Sequence, residues 1–190
     1  MVNCFLYIRP PVNQSCRQFK LTYKSSLKMA RKVFFSFHYD NDVWRAMNVR
    51  NSWVTKPDTE SAGYIDHADF EKILRQGEQA VKRWIDDQLF GSSVTIVLLG
   101  AETLQRPFVK YELEKSYARG NAIIGIFVNK LKNAAGETSS ACSIYGCPVG
   151  KNASGDVVNF SSFPIYDWVD NNGYTNLGSW VELAINTQKR

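Results

Sequence analysis

The chain has 190 residues, a length that ordinarily makes one domain, and its 44% hydrophobic and 13% aromatic content can fill a core. The formal net charge of +5 lies wholly in residues 1–28, where Arg9, Arg17, Lys20, Lys24 and Lys28 stand without an acid, and the rest balances at zero. A neutral domain offers no clustered Lys and Arg for nucleic acid, and no run approaches the ~18 consecutive apolar residues of a membrane span, so neither nucleic acid nor membrane is expected as a partner.

Residues 1–28 hold Pro10-Pro11, several Ser and Lys, no clear period and no apolar h-region of a signal peptide. They read as a basic, poorly ordered extension, or as the product of an upstream start codon; the acid-free composition also bears a weak likeness to a transit peptide. Met29-Ala30-Arg31-Lys32 runs straight into a strand as a natural N-terminus would, so the domain is expected over residues 29–190. Neither Cys4/Cys16 nor Cys142/Cys147 has CxxC spacing, and the chain has two His. A zinc site is therefore not expected, and reduced thiols in a cytoplasmic protein are.

Lys32–Tyr39 reads as a first strand, closed by the polar turn His38-Tyr39-Asp40-Asn41-Asp42. A helix follows to Thr55 with Val43, Met47 and Trp53 inward, stopped by Lys56-Pro57-Asp58. Gly63-Tyr64-Ile65 is a candidate edge strand. From an N-cap at Asp66, the spacing of Phe70, Ile73, Leu74, Val81, Trp84, Ile85 and Leu89 predicts one amphipathic helix, ended by Gly91. Val94–Leu99 is an unbroken apolar run, as in a strand buried on both faces. Pro107 starts a helix to about Tyr117, which Gly120 stops. Ala122–Val128 is another buried strand. Residues 129–162 are rich in Gly, Ser and Asn and read as a functional loop or an irregular insertion. Phe163–Trp168 is a last short strand, and Leu177, Trp180, Val181, Ala184 and Ile185 mark a final helix. Trp44, Trp53, Trp84, Trp168 and Trp180 are expected as core or sheet-covering anchors.

This alternation predicts an α/β fold, flavodoxin-like, in three layers with a mostly parallel sheet of about five strands in the order 2-1-3-4-5. Ligands of such sheets bind beyond the carboxyl ends of the strands at the switch point. Here that point selects two loops, Ser36–Asp42 and Gly100–Pro107. No GxGxxG follows the first strand, and neither GxxxxGK[ST] nor GxSxG occurs, which sets aside a Rossmann cradle, a P-loop and an α/β-hydrolase elbow. Gly100-Ala101-Glu102 stands where a response-regulator receiver would carry its aspartate.

Several segments resemble TIR domains, and most closely the divergent TIR-like family of bacterial and archaeal defence loci, of which the Thoeris antiphage system holds one. Val33-Phe34-Phe35-Ser36-Phe37-His38-Tyr39 resembles the opening strand, Val49–Val54 the next helix and Ser93–Gly100 the central strand. Phe108-Val109-Lys110-Tyr111-Glu112 occupies the place of the motif Trp-Cys-x-x-Glu, with Phe108 in place of the tryptophan. Ile123–Ile126 and Tyr166–Val169 match the last two strands, and the resemblance spans roughly Ala30 to Trp180.

The resemblance implies NAD as substrate, cleaved at the nicotinamide–ribose bond, with no metal and no cofactor. It transfers the catalytic role to Glu112 alone. The chemistry agrees: the departing nicotinamide leaves from a cationic ring and needs no general acid, and one carboxylate can steady the oxocarbenium ion that forms. Attack by an adenine nitrogen or a hydroxyl would give a cyclic ADP-ribose, which the resemblance implies as a signal to a downstream effector. Self-association is a further expectation. Ser36 and His38 either contact ribose or phosphate or cap the turn. Phe37 is core or a face for nicotinamide, and Tyr111 is packing or a pocket wall. The other reading of Glu112 is a solvated acid near a helix start, and the other reading of the domain is a non-catalytic module that binds a TIR-type protein or a nucleotide.

Overall fold

The computed structural model describes residues 31–54, 59–62 and 67–188. The expected extension over 1–28, the stop at Lys56–Asp58, the strand at Gly63–Ile65 and the cap at Asp66 lie outside them. Five strands form one sheet: β1 (Arg31–Phe37), β2 (Thr59–Ala62), β3 (Val94–Leu99), β4 (Ala122–Phe127) and β7 (Ile165–Asp167), in the order β2-β1-β3-β4-β7. Every pairing is parallel. With the two strands β5 (Pro148–Lys151) and β6 (Val157–Asn159) set apart in their own antiparallel hairpin, this is the expected 2-1-3-4-5 order.

Strand alternation distributes the side chains between the two faces. Val33 and Phe35 of β1, Ile96 and Leu98 of β3 and Ile124 and Ile126 of β4 join Ala46, Val49 and Trp53 of α1 (Tyr39–Val54) and Leu177, Trp180, Val181 and Ala184 of α5 (Gly173–Thr187). On the other face, Phe34 packs against Val81, Ile85 and Leu89 of α3 (Glu78–Leu89), and Val97, Leu99 and Ile123 pack against Val109 and Leu113 of α4 (Pro107–Ala118). All six residues of β3 are buried, as its unbroken apolar run requires. Ser36 has the parity of Phe34, so β1 turns its hydroxyl toward α4.

Three expectations need correction. The helix expected from Asp66 to Leu89 is two helices, α2 (His67–Arg75) and α3, broken at Gly77 with φ +93°. A side chain rarely adopts that backbone, and apolar residues on both sides of the break keep helical spacing, which hides it. Trp44 is 53% exposed and is no anchor. Helix α1 turns Asp42, Arg45, Ala46, Val49, Ser52 and Trp53 inward, and Val43 and Met47 are half-buried. Finally, residues 129–162 are not irregular throughout: the β5–β6 hairpin buries Val149, and Cys142, Cys147 and Phe160 lie in the same core as α4. Gly150 lies so close to Tyr117 that a Cβ there would stand 2.5 Å from its ring.

Candidate active site

The first strand and the fourth helix together place a carboxyl at the carboxyl edge of the sheet. Helix α4 begins with Pro107, whose missing N–H costs nothing at a first-turn position. A buried polar chain then pins the helix to the sheet: Thr95 of β3 donates to the Ser116 hydroxyl at 2.7 Å, and Ser116 donates to the Glu112 carbonyl at 2.6 Å. One turn of α4 is thereby fixed in height against β3. The Glu112 side chain is buried, and its Oε2 accepts a hydrogen bond from the Ser36 hydroxyl at 2.5 Å. No cation pairs with it among the described residues. Burial pushes its carboxyl up to about 8, against the opposing effect of the Ser36 hydrogen bond.

Above Glu112 opens a pocket of about 250 Å³. Phe37 and His38 line it from the end of β1 and the residue after it, Tyr39 and Asp40 from the start of α1, Phe70 from α2, Trp84 and Ile85 from α3, and Arg106, Pro107 and Phe108 from the start of α4. Four of these rings form a series along one wall. Phe37 lies 6.0 Å from Tyr39, Tyr39 stacks on Phe70 at 4.9 Å, and Phe70 meets Trp84 edge-on at 6.0 Å. Aromatic walls around a buried carboxyl suit a flat cationic ring, which the ring faces attract.

The site residues expected from the sequence divide. Glu112, Phe37 and His38 line the pocket, and Ser36 stands behind it as the partner of Glu112. The His38 side chain is buried, with Nε2 3.5 Å from an Asp40 carboxylate oxygen and Nδ1 without a partner. Its carbonyl accepts from the Asp42 N–H at 2.9 Å, the first hydrogen bond of α1. Tyr111 is not among the residues lining the pocket: its hydroxyl donates to Asp86 at 2.9 Å, and Lys82 and Lys115 lie 5.2 Å from its ring centre. Adjacent residues of a helix point about 100° apart, so Glu112 facing inward turns Tyr111 away. Glu114 is exposed. The walls from Tyr39, Phe70, Trp84 and Phe108 were not anticipated as site residues. Helical spacing marks Phe70 and Trp84 as inward-facing, but the same spacing serves a core and a pocket wall.

Deeper along the same edge lies a second buried acid. Asp42 pairs with Arg45 at 2.9 Å, both side chains being buried. Arg45 also donates to the carbonyls of Asn41, Leu131 and Glu137, which ties the loop after β4 to α1. Among the described residues no helix is long and apolar enough to cross a membrane.

Comparison with known proteins agrees with this geometry. Residues 34–133 match the family model described as "Thoeris protein ThsB, TIR-like domain". The chain is 34% identical over 191 aligned positions to a Bacillus cereus (strain MSX-D12) protein named "Putative cyclic ADP-D-ribose synthase ThsB1", an alignment spanning 80% of this chain and all of that protein. A match over more than half the chain, an identity above 30% across most of it, and the parallel 2-1-3-4-5 sheet converge: the chain belongs to the ThsB TIR-like family of Thoeris proteins.

Proposed function

We propose that this protein acts in antiphage defence by cleaving NAD at the nicotinamide–ribose bond and closing the product into a cyclic ADP-ribose-type signal for an effector. The observation that carries the reading is Glu112: a buried carboxyl with no paired cation among the described residues, at the floor of an aromatic pocket at the switch point. A relative whose name describes a cyclic ADP-D-ribose synthase supports the product class.

In this reading NAD is substrate, not a resident cofactor. The nicotinamide ring enters among Phe37, Tyr39, Phe70 and Trp84. Its positive charge favours the ionised form of Glu112, so binding releases the proton that burial otherwise holds. The C–N bond then breaks, its electron pair leaves with neutral nicotinamide, and the Glu112 carboxylate steadies the oxocarbenium ribose. Ser36 holds the carboxylate in place. A nucleophile from the adenosine half attacks the anomeric carbon and gives up its proton, which closes the ring; water in its place gives ADP-ribose. The pocket is smaller than the ~300–1,000 Å³ that usually enclose a drug-sized ligand. It therefore fits the nicotinamide riboside half, and self-association of the chain is the natural means of enclosing the other half. A cytoplasmic location follows from the substrate.

The test measures NAD loss and new ADP-ribose isomers in lysates of phage-challenged cells. Glu112→Gln should lower both by at least ~100-fold, the scale of losing a principal stabiliser of transition-state charge, and Glu114→Gln should stay near wild type. Equal turnover by wild type and Glu112→Gln removes the enzyme reading and leaves a non-catalytic module.

A further inference from the structure

We propose that Arg106 is the diphosphate anchor of this pocket and that its ion pair with Glu102 is the contact the substrate displaces. The inference rests on the reading of NAD as substrate and names the group that recognises its phosphates.

Charge supplies the first argument. Among the described residues lining the pocket, Arg106 is the single Lys or Arg; the other formal charges are the acids Asp40 and Glu112. Asp40 repels the two phosphate charges of a dinucleotide, and among these lining residues Arg106 alone can meet them. The guanidinium is suited to that task, because its planar fork matches phosphate oxygens in pairs.

Place supplies the second. The 250 Å³ cavity takes the nicotinamide riboside half, with the scissile bond over Glu112. The phosphates follow the ribose outward and reach the rim. There the Arg106 side chain is 40% exposed, at the residue where a single 3-10 turn, Thr103–Gln105, passes into α4. The start of α4 adds to the field: it has Pro107 at its first turn, no side-chain cap and no acid in that turn, so its free N–H groups keep their positive end.

The third argument is that Arg106 is incompletely engaged. Its Nε is buried and has no hydrogen-bond partner, while a terminal nitrogen pairs with Glu102, itself 46% exposed. A half-exposed ion pair contributes little to stability, and Glu102 can swing into water as a phosphate takes its place. The free enzyme thus holds the guanidinium at the rim without a contact that costs much to break.

The experiment titrates the full chain with ADP-ribose, which carries the diphosphate and has no bond left to cleave. Arg106→Ala should weaken ADP-ribose binding by about 10- to 100-fold, the effect of losing a hydrogen bond to a charged group. Arg106→Lys, a point charge without the fork, should recover part of the loss, and Glu102→Gln should tighten binding several-fold. In turnover, Arg106→Ala should raise KM for NAD by a similar factor and leave kcat and the KM for nicotinamide riboside, which lacks phosphate, within about twofold. Unchanged ADP-ribose affinity in Arg106→Ala, no ADP-ribose binding by wild type, or equal losses for NAD and nicotinamide riboside would overturn the proposal. These outcomes separate from failure of the enzyme reading: that reading falls if Glu112→Gln keeps full turnover, whatever Arg106 does to ADP-ribose affinity.

Discussion

Two buried acids stand at the carboxyl edge of the sheet, and they are built for opposite ends. Asp42 has a guanidinium 2.9 Å away, and that guanidinium spends its other donors on three carbonyls. Burial raises the Asp42 carboxyl, and the hydrogen bond and charge of Arg45 pull it back. Glu112 is also buried but has only a hydroxyl beside it, and is pushed up to about 8. An acid compensated by a cation serves as a fastening, here between α1 and the loop after β4. An acid left without one keeps its proton, and a cationic ligand beside it would favour the ionised form, which is the arrangement associated with reactive groups.

Breaking the fastening should have the largest effect. Arg45→Met leaves Asp42 buried without a partner, and removal of one member of a buried pair costs ~3–5 kcal/mol. Denaturant unfolding should show that loss, and hydrogen exchange should speed up around Leu131 and Glu137. A cost below ~1 kcal/mol would put this pair in the class of surface contacts and dissolve the contrast.

The opposite acid should respond with the opposite sign. Folded, Glu112 keeps its proton until about pH 8, while the unfolded chain loses it near the ordinary 4.5. Its contribution to stability is therefore fully present below pH 4.5 and is lost as pH rises through 8. Glu112→Gln preserves the acceptor for Ser36 and removes the ionisation. The variant should be more stable than wild type at pH 8, by on the order of 4 kcal/mol, and the gap should close toward pH 4.5. Thermal melting across that range checks it; a gap that does not vary with pH would contradict the assignment.

A third substitution tests how firmly Asp42 is held. A Cβ on Gly100 would lie 2.0 Å from an Asp42 carboxylate oxygen, and Arg45 prevents that carboxylate from yielding. Gly100→Ala should cost ~1–3 kcal/mol, the range for overpacking. In an Arg45→Met background the carboxylate can move, so the cost should shrink; strictly additive losses would mean that Arg45 does not lock Asp42.

The contrast between these acids also marks how far the sequence could be read. The apolar runs Val94–Leu99 and Ala122–Phe127 have one physical outcome, central strands, and with Pro107 and the segment Phe108–Glu112 they set the sheet order and the position of the carboxyl. Asp42 and Arg45 are different. At a turn and on a helix, charged residues ordinarily meet water, and nothing in their spacing reveals that Gly100 and two distant carbonyls will enclose them. The hairpin at 148–159 escaped for a related reason: its strands are three and four residues long, too short to show alternation. Tyr111 and Glu112 are neighbours in one motif, yet the helix turns one to the pocket and the other to Asp86. A motif carries residue types; the pinning of α4 through Thr95 and Ser116 decides which of them faces the pocket.

The smallest change probes the hydroxyl that separates the two acids in kind. Ser36→Ala removes the one interaction that favours the ionised form of Glu112. Its cost in stability should be about 1 kcal/mol, that of an ordinary hydrogen bond. Its effect on activity should depend on pH. With the hydrogen bond gone the carboxyl rises further, so the limb on which NAD cleavage grows with pH should move to higher pH. Turnover should fall near neutrality and recover in alkaline buffer. A Ser36 that merely packs would lower turnover by the same factor at every pH, and a pH profile of kcat/KM distinguishes the two. Should the limb stay where it is in wild type, Ser36 does not tune Glu112, and the acid's readiness to ionise has to come from the aromatic pocket and the cation it receives.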